Sequence, residues 1–184
     1  VRVVLLRPDR QLHRRIGVAD AHRRHQRLRA RRRRGKAEQT GEEADARVLA
    51  ASTTLRNDFP KSGYTSRGVL LAAQALQQRG NLTPAREQLE WMVKTNHDPA
   101  LTPLARLRLA GILLEQKNYD EALAQLTNPP ASFAGLFADR KGDILAAQGQ
   151  NDAAREAWKQ AVELLKQDPI SQLVQIKLDA LAGA

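Results

Sequence analysis

Three alanines set the register of this chain. In the stretches LTPAREQLEWMVK, NYDEALAQL and NDAAREAWKQAVELL, the residues Ala85, Ala122 and Ala154 coincide. Four residues after each comes Leu89, Leu126 or Trp158, and three further on Met92, Pro129 or Ala161. Twelve residues before each alanine stands another small residue, Ala73, Ala110 or Gly142, with Leu76, Leu113 and Leu145 three positions beyond it. Steps of three and four place side chains on one face of an α-helix. A small residue in each of two successive helices lets their backbones approach, and a bulky residue one turn later fills the space between neighbouring pairs.

The alanines are 37 and 32 residues apart, close to the ~34-residue unit of tetratricopeptide helix pairs. The spacing predicts an all-α fold, a tetratricopeptide-like helical-hairpin solenoid over residues 42–184 with a C-terminal capping helix. Punctuation agrees with it. Arg79-Gly80-Asn81, Gln116-Lys117-Asn118 and Gln148-Gly149-Gln150-Asn151 are stop signals, where Gly or Asn takes the left-handed conformation that ends a helix. Thr83-Pro84, Thr102-Pro103 and Asp168-Pro169 each set a capping oxygen before a proline, and Asn118 to Glu121 has the spacing of a capping box. Pro129 and Pro130 shorten the second helix of the middle pair. Ala44 to Arg56 reads as the second helix of an incomplete pair. Ile170 to Leu181, with Ile170, Leu173, Val174, Leu178 and Leu181 on one face, is expected to cover the last pair.

The net charge of +10 is concentrated at one end. Residues 1–36 carry thirteen Arg and one Lys against Asp9 and Asp20, whereas the rest holds 16 basic and 18 acidic residues. Residues 1–41 lack apolar periodicity and aromatic side chains, and are expected to form a disordered basic segment. His13, His22 and His25 lie there, but arginines flank His22 and His25, no carboxylate cluster accompanies them, and metal binding is not expected. The absence of cysteine excludes disulfides and thiol chemistry. No run of about 18 apolar residues is present, Val3 to Leu6 is too short for a signal peptide, and the first residue is Val1 in place of Met.

No catalytic constellation emerges. There is no glycine-rich phosphate loop, His-Glu-x-x-His pair or nucleophile elbow, so no cofactor and no small-molecule substrate are expected. His97 falls in the turn TNHDP and reads as a solvated turn residue. Asp139 and Asp143, four apart, share a helix face with Arg140 and Lys141 beside them, which is an ordinary charged face. Trp158 takes the bulky packing position. Function is therefore expected on the concave face, lined by the first helix of each pair. Candidate partner-binding residues are Arg67, Leu70, Gln74 and Gln77 in the first unit, Leu104, Leu107 and Leu114 in the second, and Asp139 and Asp143 in the third. The face is mixed, with a leucine-rich middle and little clustered positive charge, which suits a protein segment better than a phosphate-bearing ligand. The same leucines also suit plain packing between helices.

The stretch FADRKGDILAAQGQNDAAREAWKQAVELL, followed by Pro169 and QIKLDAL, resembles the YfgM-like family of ancillary subunits of the bacterial SecYEG translocon, as does LARLRLAGILLEQKNYDEALAQL. The likeness runs from about Leu55 to Leu181 and rests most on Ala138, Asp139, Gly142, Gly149, Ala154, Arg155, Ala157, Trp158, Gln175, Lys177 and Leu181. It implies a periplasmic repeat domain anchored to the inner membrane by one helix, with the translocon and the membrane-anchored, prolyl-isomerase-like chaperone PpiD as partners. The membrane helix of that family has no counterpart here, and an arginine-rich segment stands in its place. Two explanations compete: a GC-rich gene read out of frame, or a basic tail for nucleic acid or anionic lipid. The first leaves a translocon-linked interaction module, the second a cytoplasmic adaptor. The tail carries no nucleic-acid motif.

Overall fold

The computed structural model describes residues 40–182. The chain divides into two compact units, Val1–Ala46 and Arg47–Ala184. The expected basic segment 1–41, with His13, His22 and His25, lies outside the described residues except for its last two. Eight α-helices occur among the described residues, and no strand does. They are α1 (40–58), α2 (Gly63–Gln78), α3 (Leu82–Thr95), α4 (Thr102–Glu115), α5 (Tyr119–Gln125), α6 (Ala134–Ala147), α7 (Asn151–Leu164) and α8 (Ile170–Ala182). A 3-10 turn, Ala131–Phe133, precedes α6. Successive helices pack as pairs α2/α3, α4/α5 and α6/α7, with α3 on α4 and α7 on α8.

The pairing positions inferred from the sequence are where the helices meet. Ala73, Ala85, Ala110, Ala122 and Ala154 are at most 1% exposed, so backbone lies against backbone there. Leu76, Leu89, Met92, Leu109, Ile112, Leu113 and Phe137 fill the core around them. Each such side chain contributes about 1.5–3 kcal/mol by leaving water. A second cluster joins Ala138, Leu145, Ala154, Ala157, Trp158, Ala161 and Val174 at the other end.

One hydrogen-bond scheme repeats at the three hairpin turns. Gly80, Lys117 and Gly149 adopt positive φ of 81°, 62° and 77°. The next residue, Asn81, Asn118 or Gln150, donates its N–H back to Leu76, Leu113 or Leu145 at 2.9, 2.8 and 2.9 Å, which is the Schellman closure. The carbonyl of that same residue then accepts from Ala85, Ala122 or Ala154, opening the next helix. The leucines and alanines that mark the repeat thus also bound its turn.

Several expectations need correction. In the second turn the left-handed residue is Lys117, not Asn118, because the closure requires positive φ one residue earlier. Asn118 makes no side-chain cap, so the expected capping box does not form. Thr83 lies inside α3, which starts at Leu82, and Thr102 is the first residue of α4, its hydroxyl donating to Asn96 Oδ1 and Asp98 O. Asp168 does cap, accepting from Ile170 N at 2.9 Å. On α8 only Val174, Leu178 and Leu181 face the core, while Ile170 and Leu173 are 39% and 57% exposed. A stripe at spacings of four and three fills the seat on α7 and leaves the others outside.

The short α5 behaves as the prolines dictate. It ends after seven residues, Asn128 turns the chain at φ 48°, and a crevice floored by Leu126 and Phe137 opens beside α6. Arg106 holds the end of α5, donating to the carbonyls of Gln125 and Thr127 with its guanidinium 5.4 Å from the Phe137 ring.

Candidate functional site

The first helices α2, α4 and α6 stand side by side and form one continuous face. Gln77 Nε2 donates to Glu115 Oε1 at 2.7 Å, and Arg108 Nη1 to the Leu70 carbonyl at 3.2 Å, both joining α2 to α4. A Cβ on Gly111 of α4 would lie 3.8 Å from the Arg140 guanidinium carbon of α6. Of these residues Arg108 and Arg140 hold matched places, two before the small positions Ala110 and Gly142.

The nine candidate residues divide by environment. Arg67 and Gln74 are exposed on α2, and Gln77 is half-buried and held by Glu115. Leu70 is 6% exposed and belongs to the core. Leu104, Leu107 and Leu114 are half-buried and pack against the core while keeping one edge open, so packing and surface coexist in them. Asp139 and Asp143 of α6 are half-buried and both engaged: Lys177 of α8 bonds each at 2.7 Å, Arg140 reaches Asp143 at 3.4 Å, and Trp158 Nε1 donates to Asp143 at 3.3 Å. Burial holds the Asp139 carboxyl above the usual carboxylate range, and the Lys177 hydrogen bond opposes this without reversing it. The acidic pair is thus the anchor of α8.

Three residues beyond these nine complete the face. Leu71, 66% exposed, Arg108 and Arg140 occupy one repeat position, two residues before Ala73, Ala110 and Gly142. That common offset was the available signal. Lys177 could not be placed by it, because its partners lie 34 and 38 residues away in another element.

The second helices carry a different set. Arg86 of α3 bridges to Glu90 and to Glu121 of α5 at 2.5 and 2.6 Å. Ser52 of α1 donates to the buried Gln88 Oε1 of α3 at 2.7 Å, and Arg56 lies 5.0 Å over the Trp91 ring. His97 is an exposed turn residue, edge-on to Trp91. The Ser52 and Arg56 contacts tie α1 to α3.

The pairwise stack with closed turns and one unbroken first-helix face defines a tetratricopeptide-type scaffold. Residues 19–183 match the family model described as a tetratricopeptide repeat-like domain, and the chain belongs to that family. Its similarity to the YfgM-like ancillary translocon subunits is also found directly. It is 35% identical over 136 residues to the ancillary SecYEG translocon subunit of Neisseria gonorrhoeae, covering 73% of this chain and 65% of that protein. The subunits so named in Escherichia coli and Haemophilus influenzae are 29% and 27% identical, each over 66% of this chain and 60% and 59% of theirs. The chain thus spans under two thirds of each relative's length. No solved structure matches. No helix among the described residues is long and apolar enough to cross a membrane.

Proposed function

We propose that the chain is a non-enzymatic protein-interaction module that acts beside the SecYEG translocon during protein export. Its repeat domain works on the periplasmic side of the inner membrane and holds a PpiD-like chaperone near emerging chains. The observation that carries this reading is the continuous face of α2, α4 and α6, built of arginine, glutamine and leucine edges that reach solvent. The names of the similar proteins supply the translocon as the place of action. The chaperone and the periplasmic side come from the resemblance in the C-terminal half.

The test is binding of the purified chain to SecYEG in lipid nanodiscs, followed by interferometry, with and without a PpiD-like chaperone. Saturable binding that persists at raised salt, and strengthens with the chaperone, is expected. Absence of binding overturns the proposal. Binding that vanishes with salt and transfers to empty anionic nanodiscs also overturns it, in favour of an adaptor anchored by its arginine-rich segment.

A further inference from the structure

Three guanidinium groups run along the first-helix face, one per helix, and most of their donors are unspent. Arg67 on α2 is exposed and makes no hydrogen bond or ion pair among the described residues. Arg108 on α4 uses Nη1 on the Leu70 carbonyl. Arg140 on α6 reaches Asp143 through Nη1, while its Nε is buried without a hydrogen-bond partner. They form one track. Arg67 lies one turn before Leu70 and Leu71, Leu70 holds Arg108, and Gly111, one turn after Arg108, lies against Arg140.

The carboxylates near this track are already taken. Lys177 bonds both Asp139 and Asp143, and Glu115 accepts from Gln77. Leu71, 66% exposed, follows Leu70, whose carbonyl Arg108 holds, and Leu104 and Leu107 are half-buried on the same helix as Arg108.

We propose that this track binds an extended protein segment with an acidic residue at about every third position and apolar residues between, the carboxylates seated on Arg67, Arg108 and Arg140. The inference rests on the proposed protein-binding role and specifies the chemistry of what is bound. Packed helices lie about 8–10 Å apart, and three residues of polyproline II chain advance about 9 Å and return to the same side, so one carboxylate meets each helix if the segment crosses obliquely, since Arg67 stands one turn nearer the start of its helix than Arg108 and Arg140 do. Arginine forks favour planar carboxylates. A nucleic-acid strand would leave the leucines of this face without apolar partners, and its phosphates favour clustered cations.

The chain has no cysteine, so Gln74→Cys on α2, labelled with an environment-sensitive dye, reports what reaches this face. The same dye at Lys159→Cys, exposed on α7, reports binding elsewhere. The probes are a synthetic peptide of repeated Asp-Pro-Leu units and its Asn-Pro-Leu counterpart. The Asp peptide should shift the Gln74 reporter at a concentration about tenfold below that needed for the Asn peptide. Arg67→Glu with Arg108→Gln should raise that concentration about tenfold or more, with an unchanged circular dichroism melt. If Arg108→Gln lowers the melt, Arg67→Glu alone decides, since Arg67 touches nothing that folding needs. Equal action of the two peptides, an unaltered response in Arg67→Glu, or equal signals from both dye positions overturns the inference. A reporter that answers anionic vesicles and neither peptide does so too. Failure here with SecYEG binding intact removes the acidic segment and leaves the proposed function standing; loss of SecYEG binding removes both.

Discussion

The indole of Trp158 on α7 lies flush against Gly142 on α6, closer than any Cβ at Gly142 could tolerate. The smallest residue in one helix meets the largest in the other, and Trp158 Nε1 also donates to Asp143 one residue on. The equivalent positions of the other pairs hold an alanine and a leucine, Ala73 with Leu89 and Ala110 with Leu126. Gly142→Ala should therefore cost about 1–3 kcal/mol through displacement of the indole, seen as a lower urea midpoint with an unchanged slope.

Lys177 is the polar fastener of α8. It joins two carboxylates one helical turn apart on α6, and its own helix buries only Val174 fully. Lys177→Met removes two charge-assisted bonds and leaves two half-buried carboxylates facing each other, for a loss of about 1.5–3 kcal/mol. Hydrogen exchange should rise first in α8, whereas α2 and α3 should keep their protection.

Asp139 gives this fastener a pH signature. Its folded pKa is raised, chiefly by burial, so the folded state holds the proton more tightly than the unfolded chain does. The contribution of Asp139 to stability is full below the unfolded carboxylate pKa and is lost as pH rises through the higher folded value. Relative to Asp139→Asn, the native protein should lose stability as pH rises across that window and show a constant difference on either side. Urea titrations of both proteins at a series of pH values check the sign; a difference that grows in favour of the native protein with rising pH would contradict it.

Lys117 holds the position that glycine holds at the ends of α2 and α6, with φ of 62°. A left-handed L-residue costs about 1–2 kcal/mol, part of which glycine returns through the greater entropy of its unfolded chain. Lys117→Gly should accordingly stabilise the protein by about 0.5–1 kcal/mol, read as a higher thermal midpoint.

Helix pairing was legible in the sequence because Ala85, Ala122 and Ala154 carry it through their size, and size survives without coordinates. The early end of α5 was legible for a similar reason, since Pro129 forbids helix whatever surrounds it. Helix starts were less so. Thr83, Thr102 and Asn118 carry capping oxygens, but backbone closure of each preceding turn had already fixed where the next helix begins. The inward face of α8 is narrower than its apolar periodicity, since Ile170 and Leu173 match that periodicity and only the surface of α7 decides which residues it covers. At the candidate site, helix offsets put Arg67 and Gln74 on the solvent side of α2, where they are exposed, but also named Leu70, which is buried in the core. They could not show that Asp139 and Asp143 are bound by a lysine from α8, a contact that exists only once the chain has stacked.

The central claim is that the first-helix face meets the translocon. A photo-crosslinking residue placed at Gln74 of α2, and separately at Lys159 of α7, in the presence of SecYEG nanodiscs tests it most directly. Both positions are exposed, on a first and a second helix respectively. Adducts to SecYEG or to its bound chaperone from position 74, and none from position 159, are the predicted result. Adducts from position 159 alone, or from neither position while the chain remains bound, would contradict it.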